Sequence, residues 1–209
     1  MRVIDCIQGT PAWHAQRAGI PTASRFADVM ATIKSGEAAS RRNYRTDLVV
    51  ERLTGRALDG FQTREMKQGI EREPYGKLAY EAHTGRMLQE VGFIRHDTLE
   101  AGASPDGLVG EDGGFELKCP ERSAHLEYLM LPTEPPAYRW QIQGGLWVTG
   151  RAWWDFASWN PDFPENLQLV VRRVHRDEAA IQQLAAAIEK FTREVDAEVA
   201  RIESLPIAA

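Results

Sequence analysis

The chain has 209 residues, of which 43% are hydrophobic and 26% charged, and a formal net charge of −5. That length supports one domain over residues 1–209 with a sizeable core, and no apolar run approaches the roughly 20 residues that a membrane helix requires. The acidic balance excludes a protein that coats nucleic acid over its whole surface, but not an enzyme with a local basic site.

In chain order, the start Met1-Arg2-Val3-Ile4-Asp5 carries no apolar signal segment. Cys6 and Cys119 are too few for a disulfide framework and lack zinc-type spacing, so a reducing cytoplasm is the expected location. Residues 22–33 read as a helix, with Thr22 or Ser24 near its N-cap. A second helix is expected over 40–55, with Tyr44, Leu48, Val49 and Leu53 on its apolar face and Gly55 as its stop. The polar stretch 56–68 reads as a loop. A third helix follows over 70–84, ended by Gly85, with Pro74 marking a kink or a start near Glu73. Extended runs are expected at 87–95 and 100–104. The turn at 110–114 makes 107–109 and 115–119 a hairpin. Helices at 121–130 and 136–149, strands at 152–159 and 166–174, and a helix over 177–204 complete the chain. This order predicts an α/β (α+β) fold, a mixed central sheet flanked by helices.

The chemistry concentrates around Ser104-Pro105-Asp106-Gly107-Leu108 and Glu116-Leu117-Lys118-Cys119-Pro120. Glu116 and Lys118 are two apart on a strand and share a face. If Asp106 meets them, two hard oxygen donors and an ammonium converge, a set suited to Mg²⁺ or Mn²⁺. Each piece also has an ordinary use: Glu-x-Lys as a cross-strand charge pair, Pro-Asp-Gly as a turn. Thr22 and Ser24 at a helix start, with Arg17 nearby, offer donors for a phosphate, or simply a cap and a surface arginine. Glu71 and Glu73 precede a helical apolar stripe that includes Leu78 and His83. A helix-borne Glu there completes a metal site or complements the helix dipole. Gln141 is placed to hold a water or phosphate oxygen. Lys34, Arg41, Arg42, Arg45 and Arg52 form a basic cluster, either facing a phosphate backbone or solvated. His83 and His125 read as structural or surface, and the tryptophans, Trp13 among them, as core.

Taken together, these residues resemble the bacteriophage lambda-type exonucleases, a branch of the Asp…Glu-x-Lys nuclease superfamily that shares its core with type II restriction enzymes. The resemblance runs collinearly through Trp-His-x-x-Arg at 13–17, Thr-Ala-Ser at 22–24, Gly-x-x-x-Glu at 69–73, Ser-Pro-Asp-Gly-Leu at 104–108, Glu-Leu-Lys-Cys-Pro at 116–120, Gln-x-Gln at 141–143 and Trp-Val-Thr at 147–149.

The resemblance implies a restriction-endonuclease-like core and roles for particular residues. Asp106, Glu116 and the carbonyl of Leu117 are similar to metal ligands, and Glu73 to the acidic residue that helps hold a second metal. Lys118 is similar to the residue that positions or activates water, and Gln141 to the glutamine beside the reacting centre. Arg17, Thr22 and Ser24 resemble a pocket for a 5′-terminal phosphate. Met66 falls where the family places an apolar wedge, and Lys34 where it places a basic loop residue, although the linker between Thr32 and Tyr44 is shorter here. The implied activity is Mg²⁺-dependent 5′→3′ digestion of duplex DNA to 5′-mononucleotides, processive, with two metals and Mn²⁺ as a substitute. The implied assembly is a homotrimeric ring, with a single-strand annealing protein as partner in phage recombination. Rival readings are a restriction-like or nicking endonuclease, for which a 5′-phosphate pocket has no use, and a catalytically silent DNA-end-binding subunit.

Overall fold

The computed structural model describes residues 1–58 and 64–206, the side chains of 64–66 excepted. The side chain of Met66, the wedge candidate, therefore lies outside the described residues.

The larger sheet runs in the order β2 (Leu88–Gln89), β5 (Gly107–Val109), β6 (Gly113–Lys118), β7 (Trp153–Trp159), β8 (Leu169–His175). Its neighbours are antiparallel except β6 and β7, which run parallel. A parallel pair needs a long crossover, and here the crossover carries α5 (Arg122–Met130) and α6 (Arg139–Thr149). A small antiparallel sheet joins β1 (Arg2–Ile4), β3 (Phe93–Arg95) and β4 (Gly102–Ala103). The other helices are α1 (Pro11–Arg17), α2 (Phe26–Val29), α3 (Ala39–Thr54), α4 (Arg64–Thr84) and α7 (Glu178–Glu203). The result is the mixed sheet flanked by helices that the element order predicts.

Side-chain alternation along the strands assigns the two faces of the sheet. Phe115, Leu117 and Ala157 pack with Tyr80 of α4. Trp154 and Phe156 pack with Ile142 and Leu146 of α6 and Ile181 of α7. Gly113 and Gly114 sit where only a hydrogen fits: a Cβ on them would meet Trp153 at 2.2 Å and Trp154 at 2.1 Å. The glycine pair ahead of Phe115 therefore brings β6 close to the β7 indoles.

Two buried polar groups at the sheet are paired, as burial demands. Asp155 accepts from the Tyr80 hydroxyl at 2.7 Å and from Arg173 Nε and Nη2 at 2.8 Å each. His125 is fully buried. Its Nε2 donates to the Leu167 carbonyl at 2.9 Å, and its Nδ1 lies 2.8 Å from Ser158 Oγ. It is a structural histidine that pins α5 to the sheet.

Several local expectations are corrected. The helix expected over 22–33 is only a 3₁₀ turn at Ala23–Arg25 and the short α2. Thr22 is held extended by a bridge to Gly102, and its N–H donates to Tyr44 Oη at 3.0 Å. The loop expected to reach 68 ends earlier, because α4 begins at Arg64 and runs unbroken through Pro74. Pro74 and Tyr75 face solvent, so water can solvate the backbone carbonyl that the proline leaves without its helical donor. The apolar stripe of α4 is turned partly outward, with Ile70, Tyr75 and Leu78 exposed. Leu53 of α3 is exposed as well, whereas Tyr44, Leu48 and Val49 are buried as expected. Sequence reading overlooked α1, although Thr10-Pro11 is a cap followed by a first-turn proline.

The basic cluster is not a free phosphate-facing surface. Arg41 pairs with Glu37 and Glu194, Arg45 with Glu37 and Glu198, and Arg52 with Glu100 and Asp196. These charges tie α3 to α7 and neutralise one another. Lys34 and Arg42 stay exposed.

Candidate active site

The β5–β6 hairpin positions the acidic residues. Asp106 stands just before β5. Its N–H donates to the Phe115 carbonyl at 3.2 Å, and its Oδ2 accepts the Leu117 N–H at 2.7 Å. Both bonds fasten it across β6. Glu116, 4% exposed, accepts from Lys118 Nζ at 2.6 Å and from Gln141 Nε2 at 2.5 Å, both on Oε1. Gln141 comes from the first turn of α6, so the crossover helix delivers it to the strand face carrying Glu116 and Lys118.

Charge crowding dominates this end of the site. Burial, reinforced by Glu116 and opposed by Lys118, pushes the Asp106 carboxyl up to about 8. Burial alone would lower the Lys118 ammonium, but the carboxylates of Glu116 and Asp106 outweigh it and hold Lys118 above its ordinary value. Burial, with Glu73 and Asp106 adding, pushes the Cys119 thiol up to about 12, which makes it inert as a nucleophile. Glu73 on α4 binds Lys77 Nζ at 2.8 Å, and its charge is felt at Asp106.

Among the described residues, no three His, Cys, Asp or Glu side chains converge as a ready-made metal cage. Asp106 and Glu116 offer two crowded hard oxygen groups, which a divalent cation would relieve. That donor set fits Mg²⁺, which is commonly held by one or two carboxylates together with water and substrate phosphate.

The other end of the site faces the same cavity. A pocket of about 180 Å³ is lined by Arg17, Thr22, Ser24, Asp106, Glu116 and Gln141 together. Arg17 ends α1 and lies over the Trp13 ring, its guanidinium carbon 3.9 Å from the centroid. Among the described residues it makes no ion pair, and burial lowers its pKa. A half-buried guanidinium without a carboxylate partner keeps donors that can serve an anion. Thr22 Oγ1 and Ser24 Oγ lie 3.4 Å apart beside it. The Gly102 N–H, donating to the Pro21 carbonyl at 3.0 Å, stitches this loop to β4 and so to the turn holding Asp106.

Two further pocket residues escaped the sequence reading. The Trp13 indole N–H donates to Ser104 Oγ at 2.9 Å, which leaves the serine's own proton for a ligand in the pocket. Trp13 is thus a pocket wall, not a core anchor. Gln8 also lines the pocket. Ser104 was visible two residues ahead of Asp106, but its partner lies 91 positions away. Lys34 sits in the exposed segment between α2 and α3 and does not line the pocket.

Residues 12–152 match the YqaJ-like viral recombinase domain. Among solved structures, the chain is similar to LHK-Exo, an alkaline exonuclease from Laribacter hongkongensis, at 38% identity over 93% of this chain and 96% of that one, TM-score 0.85. The same enzyme in complex with dAMP superposes with a TM-score of 0.87 at 39% identity, again over 93% and 96% of the two chains. A phage related exonuclease from Haemophilus somnus 129PT shares the fold at 12% identity, TM-score 0.68, over 88% of this chain and 96% of that one. No curated protein sequence matches the chain significantly.

Proposed function

Since the chain belongs to the YqaJ-like viral recombinase family, and is by that membership a nuclease of the alkaline exonuclease type, we propose that it is a Mg²⁺-dependent exonuclease. It digests the 5′-ended strand of duplex DNA, releases 5′-mononucleotides and leaves a 3′ overhang for recombination by strand annealing. Residues 1–209 act as one nuclease domain in this reading. The observation that carries it is one small pocket lined both by the acidic pair Asp106 and Glu116 and by Arg17, Thr22 and Ser24. An endonuclease has no need of a terminal-phosphate receptor beside its metal ligands.

Asp106, Glu116 and the Leu117 carbonyl would hold the cation, with Glu73, released from Lys77, assisting a second one. Bound there, Mg²⁺ supplies Lewis-acid stabilisation of phosphate charge and a more acidic water, and Mn²⁺ serves in its place. Lys118, kept protonated, orients the attacking water or donates to a non-bridging phosphate oxygen. Gln141 steadies Glu116. Arg17, Thr22, Ser24 and Ser104 bind the terminal phosphate and fix which bond reaches the carboxylates. The relative solved with dAMP supports a mononucleotide product. Lys34 is assigned to contacts with the DNA outside the pocket, and Met66 to an apolar wedge that helps separate the strands.

A homotrimeric ring would account for processivity by encirclement, and a lined channel would reconcile net charge −5 with DNA binding. The setting is a bacterial cytoplasm, with the protein phage- or prophage-encoded and paired with a single-strand annealing protein. Among the described residues no helix is long and apolar enough to cross a membrane.

The test is digestion of linear duplex with 5′-phosphate or 5′-hydroxyl ends, beside a closed circle, in Mg²⁺. Mononucleotides from phosphorylated ends with the circle intact are expected. A cut circle would move the chain to the endonucleases, and no cleavage in Mg²⁺ or Mn²⁺ would make it an end-binding subunit.

A further inference from the structure

Gln8 lies in the segment between β1 and α1, ahead of any residue assigned a role above. Its Nε2 donates twice, to the Val91 carbonyl at 2.9 Å and to the Pro105 carbonyl at 2.8 Å. Pro105 immediately precedes Asp106, and Val91 leads into β3. Both hydrogens of the amide are therefore spent on backbone oxygens, one at the acidic turn and one in the segment between β2 and β3. Nine residues on, the same N-terminal segment presents Arg17, and Gln8 itself lines the pocket along with Arg17 and Asp106. The bond from Trp13 to Ser104 makes a second stitch between the same two segments.

We propose that Gln8 is a positioning residue that fixes the 5′-phosphate receptor relative to Asp106, so that an anchored end presents its scissile phosphate in register with the catalytic carboxylates. The inference rests on the phosphate-pocket reading above. The peptide joining Pro105 to Asp106 is held from one side by Gln8 and from the other by the bonds between Asp106 and β6. Releasing the Gln8 side leaves the receptor intact and the carboxylates intact, but removes the stitch that ties the N-terminal segment to the Pro105–Asp106 peptide itself, and so loosens the spacing between them. Misplacement of about 1 Å between a bound group and the catalytic residues costs a rate factor of about 10². Affinity, set by Arg17, Thr22 and Ser24, is not touched.

This separates binding from rate. On the pocket reading, a 5′-phosphate on the wild type should both tighten end binding and speed release of the first nucleotide. Gln8→Met, similar in length but without donors, and Gln8→Glu, similar in shape but repelled by both carbonyls, are compared with Arg17→Ala. End binding is measured by fluorescence anisotropy in Ca²⁺ and first-nucleotide release by single turnover in Mg²⁺, each on 5′-phosphate and 5′-hydroxyl duplexes, with Tm recorded. For Gln8→Met the expected result is an unchanged binding preference for phosphate and an approximately 10²-fold slower release from phosphorylated ends; Gln8→Glu should slow release likewise, while its added carboxylate, which lines the pocket, also weakens phosphate binding. Release from 5′-hydroxyl ends, which do not use the receptor, changes far less. Equal slowing on both ends, or unchanged rates on both, overturns the role of Gln8 while Arg17→Ala still loses the binding preference. An Arg17→Ala protein that keeps that preference overturns the pocket reading, and the inference with it.

Discussion

Replacing Asp106 by Asn tests the charge crowding directly. The folded Asp106 carboxyl is pushed up to about 8 from an ordinary value of 3.8. Below about pH 4 the carboxyl is protonated in both folded and unfolded chains and the fold carries no penalty. As pH rises the unfolded chain ionises first, so stability falls by about 1.4 kcal/mol per pH unit until the folded carboxyl also ionises near pH 8. The full window amounts to about 6 kcal/mol. Asp106 is only part-buried and opens to the pocket on one side, so solvent relieves some of this and a loss of about 2–4 kcal/mol is expected. Asn cannot ionise, and its side-chain oxygen can still accept the Leu117 N–H. At about 2–4 °C per kcal/mol for a chain of this size, the metal-free Asn variant should melt roughly 10 °C above the wild type at pH 8.5. The gap should shrink steadily toward pH 5, and Mg²⁺ should raise only the wild-type Tm. Differential scanning fluorimetry across pH, with chelator or Mg²⁺, reads all three. A gap independent of pH, or an Asn variant melting lower at pH 8.5, would refute the reasoning.

Lys118→Ala should slow single-turnover cleavage by about 10²–10⁴-fold, since the residue orients water or stabilises charge; a rate within threefold of wild type assigns that work elsewhere. Arg17→Ala should abolish the discrimination between 5′-phosphate and 5′-hydroxyl ends in an anisotropy assay, because no other described cation lines the pocket. Asp155→Ala strips Tyr80 and Arg173 of their buried acceptor and should cost about 3 kcal/mol. A urea midpoint equal to wild type would show that this network carries no stability.

Much of the fold was legible because local rules and the tertiary structure agree. The 107–119 hairpin was written by its turn glycines, α3 by its apolar spacing and Gly55, and α7 by its long helical pattern. The acidic pair was legible for the same reason: Glu116 and Lys118 are two apart on a strand, and strand geometry alone puts them on one face. Where the reading failed, a distant partner had taken over a local preference. Thr22 looked like a helix cap, but its N–H goes to Tyr44 and its backbone bridges to Gly102, so the helix shrank. The arginines of α3 looked free for phosphate until α7 brought Glu194, Asp196 and Glu198 against them.

The sequence by itself determined the strand bearing Glu116 and Lys118, the turn bearing Asp106 and the family they resemble, since these depend on spacings of a few residues. Only the tertiary structure decided that Arg17, Thr22 and Ser24 open into the same pocket as Asp106, that Trp13 holds Ser104, and that Gln8 grips the Pro105 carbonyl. The Trp13–Ser104 and Gln8–Pro105 partners lie 91 and 97 positions apart in the chain. No periodicity reaches that far, and they meet in the folded state, where the loop that follows α1 is stitched to β4 at Pro21 and Thr22.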